Sequence, residues 1–227
     1  MKNLIFNLTV TLMCTVVTAG SVYSTKIEAR VASAEEVFEK KEVERIKKEV
    51  DKQPVYVDKD QSNGKELVQL KAGVNANLKA KAMPAKYPTR KGVILVTSDA
   101  FKGLIPTGHA AIVYSKKKVI ESLHDGVQKG NNNWYSKHKT CYGVTTHGTT
   151  SAMDAYVADW CNLQVGKDYN YNYFNVSTRK KFYCSQLVWA GYLDKELIDL
   201  NTNWFGGAVH PMELVWTSKT YTVYEQK

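Results

Sequence analysis

Phe182-Tyr183-Cys184-Ser185-Gln186-Leu187-Val188-Trp189-Ala190-Gly191-Tyr192 is the stretch around which the rest of the sequence can be arranged. It is typical of a short approach segment followed by a helix, because Leu187, Val188, Ala190 and Gly191 lie three and four residues apart. We expect that side of the helix to pack closely on a sheet.

Cys184 falls in the first turn of this predicted helix. Unpaired backbone N–H groups and the positive end of the helix dipole favour a thiolate over a thiol at that position. A nucleophilic cysteine needs this property. The alternative is that Cys184 is a small buried apolar residue, as cysteines often are.

Upstream, the sequence predicts short strands. Residues 92–97 form a continuous, largely β-branched run that is typical of a strand buried on both faces. Residues 107–114 predict a strand with His109 near its start, and residues 119–123 predict the returning strand. The polar turn at residues 115–118 makes the pair an antiparallel hairpin.

The register of this hairpin decides whether Glu121 can reach His109. A three-residue loop centred on Lys116 would set His109 opposite Leu123, with Glu121 as its diagonal neighbour on the same face. The carboxylate could then accept the ring N–H and fix the tautomer. A two-residue loop would send the two side chains to opposite faces, and the sequence leaves both registers open.

The motifs that surround these residues resemble a known family. They are Gly108-His109-Ala110-Ala111-Ile112-Val113-Tyr114, Val119-Ile120-Glu121-Ser122, Gly166-Lys167-Asp168-Tyr169-Asn170 and Tyr183-Cys184-Ser185-Gln186-Leu187-Val188. In this order they resemble the circularly permuted papain-like cysteine hydrolases of the NlpC superfamily, and within it the YiiX/YebB-like branch. The resemblance covers about residue 90 to the C-terminus.

The resemblance implies an α+β fold, a permuted papain-like (NlpC-type) arrangement in which an antiparallel sheet packs against helices. It also implies that Cys184 is the nucleophile, His109 the general base and Glu121 the orienting residue. The chain departs from the family at Gly92-Val93, where Gly-Asp is frequent, and at Ser185-Gln186, where Ser-Glu is frequent. These departures bear on subfamily and substrate.

Two other kinds of site fit the sequence less well. His210 could pair with Cys184 in the unpermuted chain order, but it precedes Pro211 instead of opening a strand. A metal site is disfavoured because no Cys-x-x-Cys or His-Glu-x-x-His motif accompanies the histidines. We therefore expect no metal and no cofactor.

The N-terminal part predicts export. Residues 1–34 have the pattern of a signal peptide, with cleavage after either Val17-Thr18-Ala19 or Ala32-Ser33-Ala34, and an uncleaved anchor is the alternative. Residues 35–86 predict an extension and linker that begin with an amphipathic helix over residues 35–52, and residues 87–227 the hydrolase domain. Removal of Cys14 would leave an odd number of cysteines. Cys141 and Cys161 could form a disulfide, and Cys184 is expected to be free.

The middle of the domain completes the prediction. Residues 126–139 are expected to form a polar loop that borders the cleft through Trp134 and Tyr135, and residues 141–146 a strand. A helix is predicted from residue 152 to about 164, with Asp154 as part of a capping box. Three tyrosines are predicted either to line a substrate groove or to cover the core: Tyr169, Tyr171 and Tyr173.

Charge limits the partners. The net charge of +9 comes from scattered lysines without a nucleic-acid-binding motif, so it favours an anionic cell-wall or membrane surface over nucleic acid. We therefore predict an exported bacterial cysteine hydrolase that acts on peptides or peptidoglycan. The alternatives are a lipid acyltransferase or lipid amidase on the same scaffold and a non-catalytic wall-binding protein. The sequence does not indicate an oligomeric state.

Overall fold

The computed structural model describes residues 30–59, 86–100 and 108–227. Nearly all of the predicted signal peptide and most of the predicted linker lie outside the described residues. From Val31 onward the described residues form one compact unit. Its helices are α1 (Ala34–Val37), α2 (Lys40–Val50), α3 (Trp134–Lys137), α4 (Ser151–Asn162), α5 (Cys184–Glu196) and α6 (Glu213–Trp216). Its strands are β1 (Ile94–Thr97), β2 (His109–Ser115), β3 (Lys118–Leu123), β4 (Gly126–Asn131), β5 (Cys141–Thr146), β6 (Asp168–Tyr169), β7 (Lys181–Phe182) and β8 (Thr220–Gln226).

Six of these strands form one sheet in the order β4-β3-β2-β1-β5-β8, and every neighbouring pair in it is antiparallel. The short strands β6 and β7 pair in parallel as a separate ribbon that leads into α5. This arrangement confirms the predicted α+β class with an antiparallel sheet packed against helices.

The two faces of the sheet carry different cores. Ala110, Ile112 and Ile120 face the larger core, which α4 and α5 complete, whereas Ala111 and Val113 face a smaller cluster. Cys161 belongs to the larger core and Cys141 to the smaller one. Both cysteines are buried and free, so the disulfide that the sequence left open is not formed. The sheet lies between them.

Helix α5 is buried along its first nine residues, Cys184–Tyr192. It packs on β2 and β3, as the apolar spacing predicted, and also on α4. A Cβ atom at Gly191 would lie 2.9 Å from Val157 Cγ1 and 3.1 Å from Cys161 Sγ. The glycine therefore permits the close approach of α4 and α5.

The β2–β3 hairpin combines features of both predicted registers. Ala111 pairs with Glu121 and Val113 with Val119, but Ser115 pairs with Lys118 across a β-bulge. The loop itself is thus only two residues long. The extra residue in β2 restores the register that places residues 109 and 121 on the same face.

Three sequence predictions are corrected by the fold. Residues 126–131 of the predicted polar loop form the edge strand β4, which pairs with β3 along its whole length. The predicted helix over residues 35–52 is interrupted after Val37, because Phe38 turns into the core between the rings of Phe205 and His210. Asp154 does not cap α4: Thr150 is the cap, and Asp154 is a buried ion-pair partner of Lys59 and Arg90.

Part of the predicted N-terminal region belongs to this compact unit. Ser33, within the second candidate cleavage motif, caps α1 through a capping box with Glu36. Within residues 30–59, 86–100 and 108–227, no helix has both the length and the apolar character needed to cross a bilayer.

Candidate active site

Cys184 is the first residue of α5, and its sulfur lies at the point where the helix begins. The side chain of Gln186 closes the helix start by accepting the Tyr183 backbone N–H at 3.1 Å. The same Gln186 oxygen accepts the Asn170 amide at 2.9 Å. This buried glutamine, at the position where the sequence departs from the frequent Ser-Glu pattern, therefore holds both the helix start and the preceding loop.

Two hydroxyl groups fix this helix start to its neighbours. Ser122 on β3 donates to the Phe182 carbonyl at 2.6 Å, and Ser185 donates to the Val209 carbonyl at 2.6 Å. The first bond joins the strand that carries Glu121 to the segment that carries Cys184. This hydrogen bond therefore fixes the strand that carries the Glu121 carboxylate relative to the segment that carries the Cys184 sulfur.

The structure brings His109 and Glu121 together. His109 is the first residue of β2, pairs with Thr97 on β1, and is 1% exposed. Its Nε2 lies 2.7 Å from Glu121 Oε2. Because Nε2 is engaged by the carboxylate, we assign the hydrogen bond between His109 and Cys184 to the opposite ring nitrogen, Nδ1.

These contacts change the ionisation of the histidine. Burial alone lowers the pKa of His109, but hydrogen bonds to Cys184 and Glu121 and their negative charges outweigh it and raise the pKa to about 9. The ring is then an imidazolium at neutral pH. A positive charge therefore lies beside the Cys184 sulfur.

An indole ring covers the histidine. Trp134 is 3% exposed and stacks on His109 with 5.3 Å between ring centroids and 22° between planes. Its backbone N–H donates to the Tyr87 hydroxyl at 3.0 Å, which fixes α3 at this position. The sequence predicted that Trp134 borders the cleft but did not predict its stacking on His109. Tyr135, predicted beside it, is 55% exposed and contacts Tyr87 instead.

The three tyrosines of the β6 region divide between the two predicted roles. Tyr171 is 53% exposed, whereas Tyr169 and Tyr173 are buried. Burial and, to a smaller extent, the charge of Cys184 raise the pKa of both buried hydroxyl groups. Tyr169 and Tyr173 thus belong to the larger core, whereas Tyr171 lies at the surface.

His210, the rival partner of Cys184, serves another purpose. Its Nδ1 accepts the Met212 backbone N–H at 3.1 Å, and its ring lies against Phe38 and Phe205. Burial lowers its pKa to about 3, so it stays neutral. The contacts of His210 are those of a structural histidine that shapes the loop before α6.

Among the residues that the structure describes, no group of three or more His, Cys, Asp or Glu side chains is placed to hold a metal ion. His138 approaches Asp99, at 3.7 Å from Nδ1 to Oδ2, but this pair is not joined by a third ligand. The catalytic roles of Cys184, His109 and Glu121 stay a prediction.

Comparison with known proteins identifies several similar chains. The model of a family described as permuted papain-like amidase enzymes, YaeF/YiiX, C92 family, matches residues 93–220. The uncharacterized protein YycO of Bacillus subtilis (strain 168) is 30% identical over 146 residues, which are 61% of this chain and 57% of YycO. The chain thus spans little more than half of that relative. A crystal structure described as the metalloprotein yiiX from Escherichia coli O157:H7 is similar with a TM-score of 0.46 and 14% identity, over 61% of this chain and 98% of yiiX.

Proposed function

The chain belongs to the permuted papain-like amidases of the YaeF/YiiX type, the C92 family, and from this premise we propose that it is an exported cysteine hydrolase that cleaves amide bonds in cell-wall peptides. The single observation that carries the proposal is the hydrogen-bonded series Glu121–His109–Cys184 at the start of α5. A nucleophile, a base and a group that orients the base are the parts that thiol hydrolysis requires.

The proposed reaction begins with the Cys184 thiolate. The sulfur attacks the carbonyl carbon of the scissile amide, and the carbonyl oxygen becomes an oxyanion. The backbone N–H of Cys184, in the first turn of α5, is the donor that we assign to this oxyanion. The His109 imidazolium then gives its proton to the leaving amine as the C–N bond breaks.

Water completes the reaction. His109, now neutral, takes a proton from a water molecule, and the resulting hydroxide attacks the thioester. The acid product leaves and the Cys184 thiolate returns with its imidazolium. Throughout the cycle Glu121 holds Nε2, which fixes the orientation of the ring and keeps the other nitrogen directed at the sulfur. Trp134 covers the ring and keeps bulk water away from this pair.

The choice of substrate rests on the sequence. The N-terminal segment has the pattern of an export signal, and the net charge of +9 favours attraction to an anionic cell envelope. Peptide stems of peptidoglycan combine amide bonds with that location. Cleavage of lipid amides or acyl exchange on lipids, and binding to the wall without catalysis, are the outcomes against which the proposal is tested.

The test uses the whole protein and its Cys184→Ala variant. Purified cell wall and a set of lipid amides are incubated with each, and released peptides, amines and acyl products are followed by mass spectrometry. We expect wild-type protein to release peptides and Cys184→Ala to release none. Cys161→Ala, which removes another buried thiol, is the matched control and should keep activity.

Two further measurements separate the alternatives. Because Cys184 is only 1% exposed, inactivation by the small reagent iodoacetamide, with the labelled residue identified by mass spectrometry, tests access to the sulfur. His109→Ala should abolish both turnover and labelling at mildly acidic pH. His210→Gln should reduce turnover and labelling only in proportion to any loss of folded protein. Labelling of a cysteine other than Cys184, or binding to the wall without turnover, would contradict the proposal that the protein is a cysteine hydrolase.

A further inference from the structure

The carboxylate of Glu121 occupies space that belongs to a side chain on the neighbouring strand. Glu121 pairs with Gln128 on β4, and Gly130 pairs with Val119 on β3. Residues 121 and 130 are therefore diagonal neighbours on one face of the sheet. A Cβ atom at Gly130 would lie 1.8 Å from Glu121 Oε1 and 2.8 Å from its Cδ, which is far inside van der Waals contact.

The backbone of β4 gives no other reason for this glycine. Gly130 is not among the residues with positive φ, so its conformation is open to any amino acid. Glycine in the interior of a strand weakens the strand and often marks a place where another group approaches closely. Here the approaching group is the carboxylate that binds the histidine.

From this geometry we propose that Gly130 is a positioning residue for the active site, because its missing side chain leaves the place in which the Glu121 carboxylate meets His109. The inference rests on the proposed function, because Glu121 and His109 are the pair that activates Cys184 in that proposal. Gly130 has no side chain that could take part in the reaction itself. Its effect passes entirely through Glu121.

The contacts around the carboxylate leave it little room to yield. Oε2 is held at 2.7 Å from His109 Nε2, and a Cβ at Gly130 would also lie 3.0 Å from Val119 Cγ2 on the other side. A methyl group at position 130 therefore has to move the carboxylate, and the bond to His109 lengthens or breaks. We expect the change to mimic loss of the Glu121 side chain.

The experiment is a double-mutant cycle with Gly130→Ala, Glu121→Ala and the double variant. The primary measurement is the pKa of His109, read from its ring protons by NMR, which does not require any substrate. Gly130→Ala should lower this pKa toward that of Glu121→Ala. Turnover should fall through kcat more than through KM, by roughly 10²-fold, as expected when a catalytic group is misplaced by about 1 Å.

The cycle distinguishes positioning from a general effect on the strand. In the Glu121→Ala background, Gly130→Ala should change neither the pKa nor the turnover further, because the carboxylate that it displaces is gone. Lys129→Ala, a substitution at an exposed site of the same strand, is the control and should leave the pKa of His109 unchanged. If Gly130→Ala alone does not fold, the double variant should fold, since the severe clash is with that carboxylate and the 3.0 Å approach to Val119 Cγ2 requires only a small shift.

The outcomes separate this inference from the proposed function. An unchanged His109 pKa in Gly130→Ala, equal effects of Gly130→Ala with and without Glu121, or a double variant that does not fold would each overturn the inference. If no hydrolysis is found in wild-type protein while the pKa cycle behaves as expected, the positioning role stands and the proposed reaction fails. The two conclusions thus have separate measurements.

Discussion

At the scale of single residues, the candidate active site contains a buried cation. Full burial opposes a charged His109, but the hydrogen bonds and charges of Cys184 and Glu121 more than offset this penalty and raise its pKa to about 9. An imidazole at its ordinary pKa near 6.5 would be mostly neutral at neutral pH. Cys184 and the Glu121 carboxylate thus together favour the charged ring, and the carboxylate also fixes the orientation of the ring.

This dependence predicts the alkaline limit of the enzyme. His109 has a raised pKa, so the imidazolium is present below about pH 9 and is lost as the pH rises through that value. Replacing Glu121 with Gln removes one of the charges that raise the pKa and keeps the shape of the side chain. The alkaline limb of kcat/KM should therefore move to lower pH by about one unit or more. A variant with the wild-type limb would show that Glu121 does not act on the ring.

The sequence predicts the individual residues of the candidate site well, because the chemistry limits which residue types can take part. Cys184 at a helix start and His109 at a strand start were predicted as the members of the site, and the structure brings them together with Glu121. Trp134 and Gln186 received no such role, because an indole stacked on a ring and an amide that caps a helix depend on loops that no local pattern predicts. Gln186 lies three residues after Tyr183, which is the position of the Glu or Gln partner in a capping box. This spacing is the signal that would have identified Gln186.

At the scale of elements, the sequence left the β2–β3 register open for a physical reason. Loop length and register are linked only when the strands are regular, and the bulge between Val113 and Ser115 breaks that link. Strand β4 was missed because Gly126, Gly130 and the asparagines that follow resemble a loop in composition. Its pairing with β3 overrides local preference, and Gly130 in particular makes room for the carboxylate of Glu121.

Asp154 is the buried charge that joins several elements. Its carboxylate lies 2.9 Å from both Lys59 Nζ and Arg90 Nη1, and it accepts hydrogen bonds from Thr145 on β5 and from Thr149 before α4. Burial alone would raise its pKa, but the Lys59 charge and the Thr149 bond hold it below the usual range. This cluster holds the N-terminal extension against the junction of β5 and α4.

We therefore expect Asp154→Asn to be strongly destabilising. The change removes the carboxylate that pairs with Lys59 and Arg90 in a largely buried site, and Arg90 keeps its pair with Asp58. Breaking a buried ion pair by removing one partner costs about 3–5 kcal/mol of unfolding free energy. For a protein of this size that corresponds to a fall of roughly 10 °C in melting temperature. Asp159→Asn, at an exposed ion pair with Lys91, is the matched control and should change stability by less than about 1 kcal/mol. Equal melting temperatures for both variants would contradict the role of Asp154.

At the scale of the whole molecule, the N-terminal extension is packed into the domain. Val43, Ile46 and Val50 of α2 are buried in the same core as the face of the sheet that carries α5. Beyond the helix, Val55 forms a bridge to Thr222, and the Tyr56 backbone N–H donates to the Thr222 carbonyl at 2.8 Å. The extension therefore runs from the larger core to the edge strand β8.

The extension also reaches the surroundings of the active site. The ring of Phe38 meets Tyr173 at 5.3 Å and His210 at 5.2 Å between centroids. Tyr173 accepts the hydroxyl of Tyr183 on its carbonyl oxygen at 3.2 Å, and Tyr183 immediately precedes Cys184. The sequence indicated a thin apolar stripe in residues 35–52 but not its partner surface, because the contacts lie more than 100 residues away along the chain.

This packing leads to a prediction about where the folding unit begins. The boundary at residue 87 stays a prediction from composition, and a chain that starts at Tyr87 tests it against one that starts at Val31. The shorter chain loses the apolar side chains of α1 and α2, the Phe38 contacts and the Lys59 partner of Asp154. Each large core side chain of this kind contributes about 2–5 kcal/mol, so the loss exceeds the 5–15 kcal/mol by which a domain is normally stable.

We expect the chain from Tyr87 to lack the near-ultraviolet circular dichroism and cooperative melting of the chain from Val31, and to leave Cys184 without its neutral-pH reactivity. Equal melting and equal iodoacetamide labelling in both chains would instead place the domain boundary at Tyr87 and reduce the extension to a covering of an already complete core.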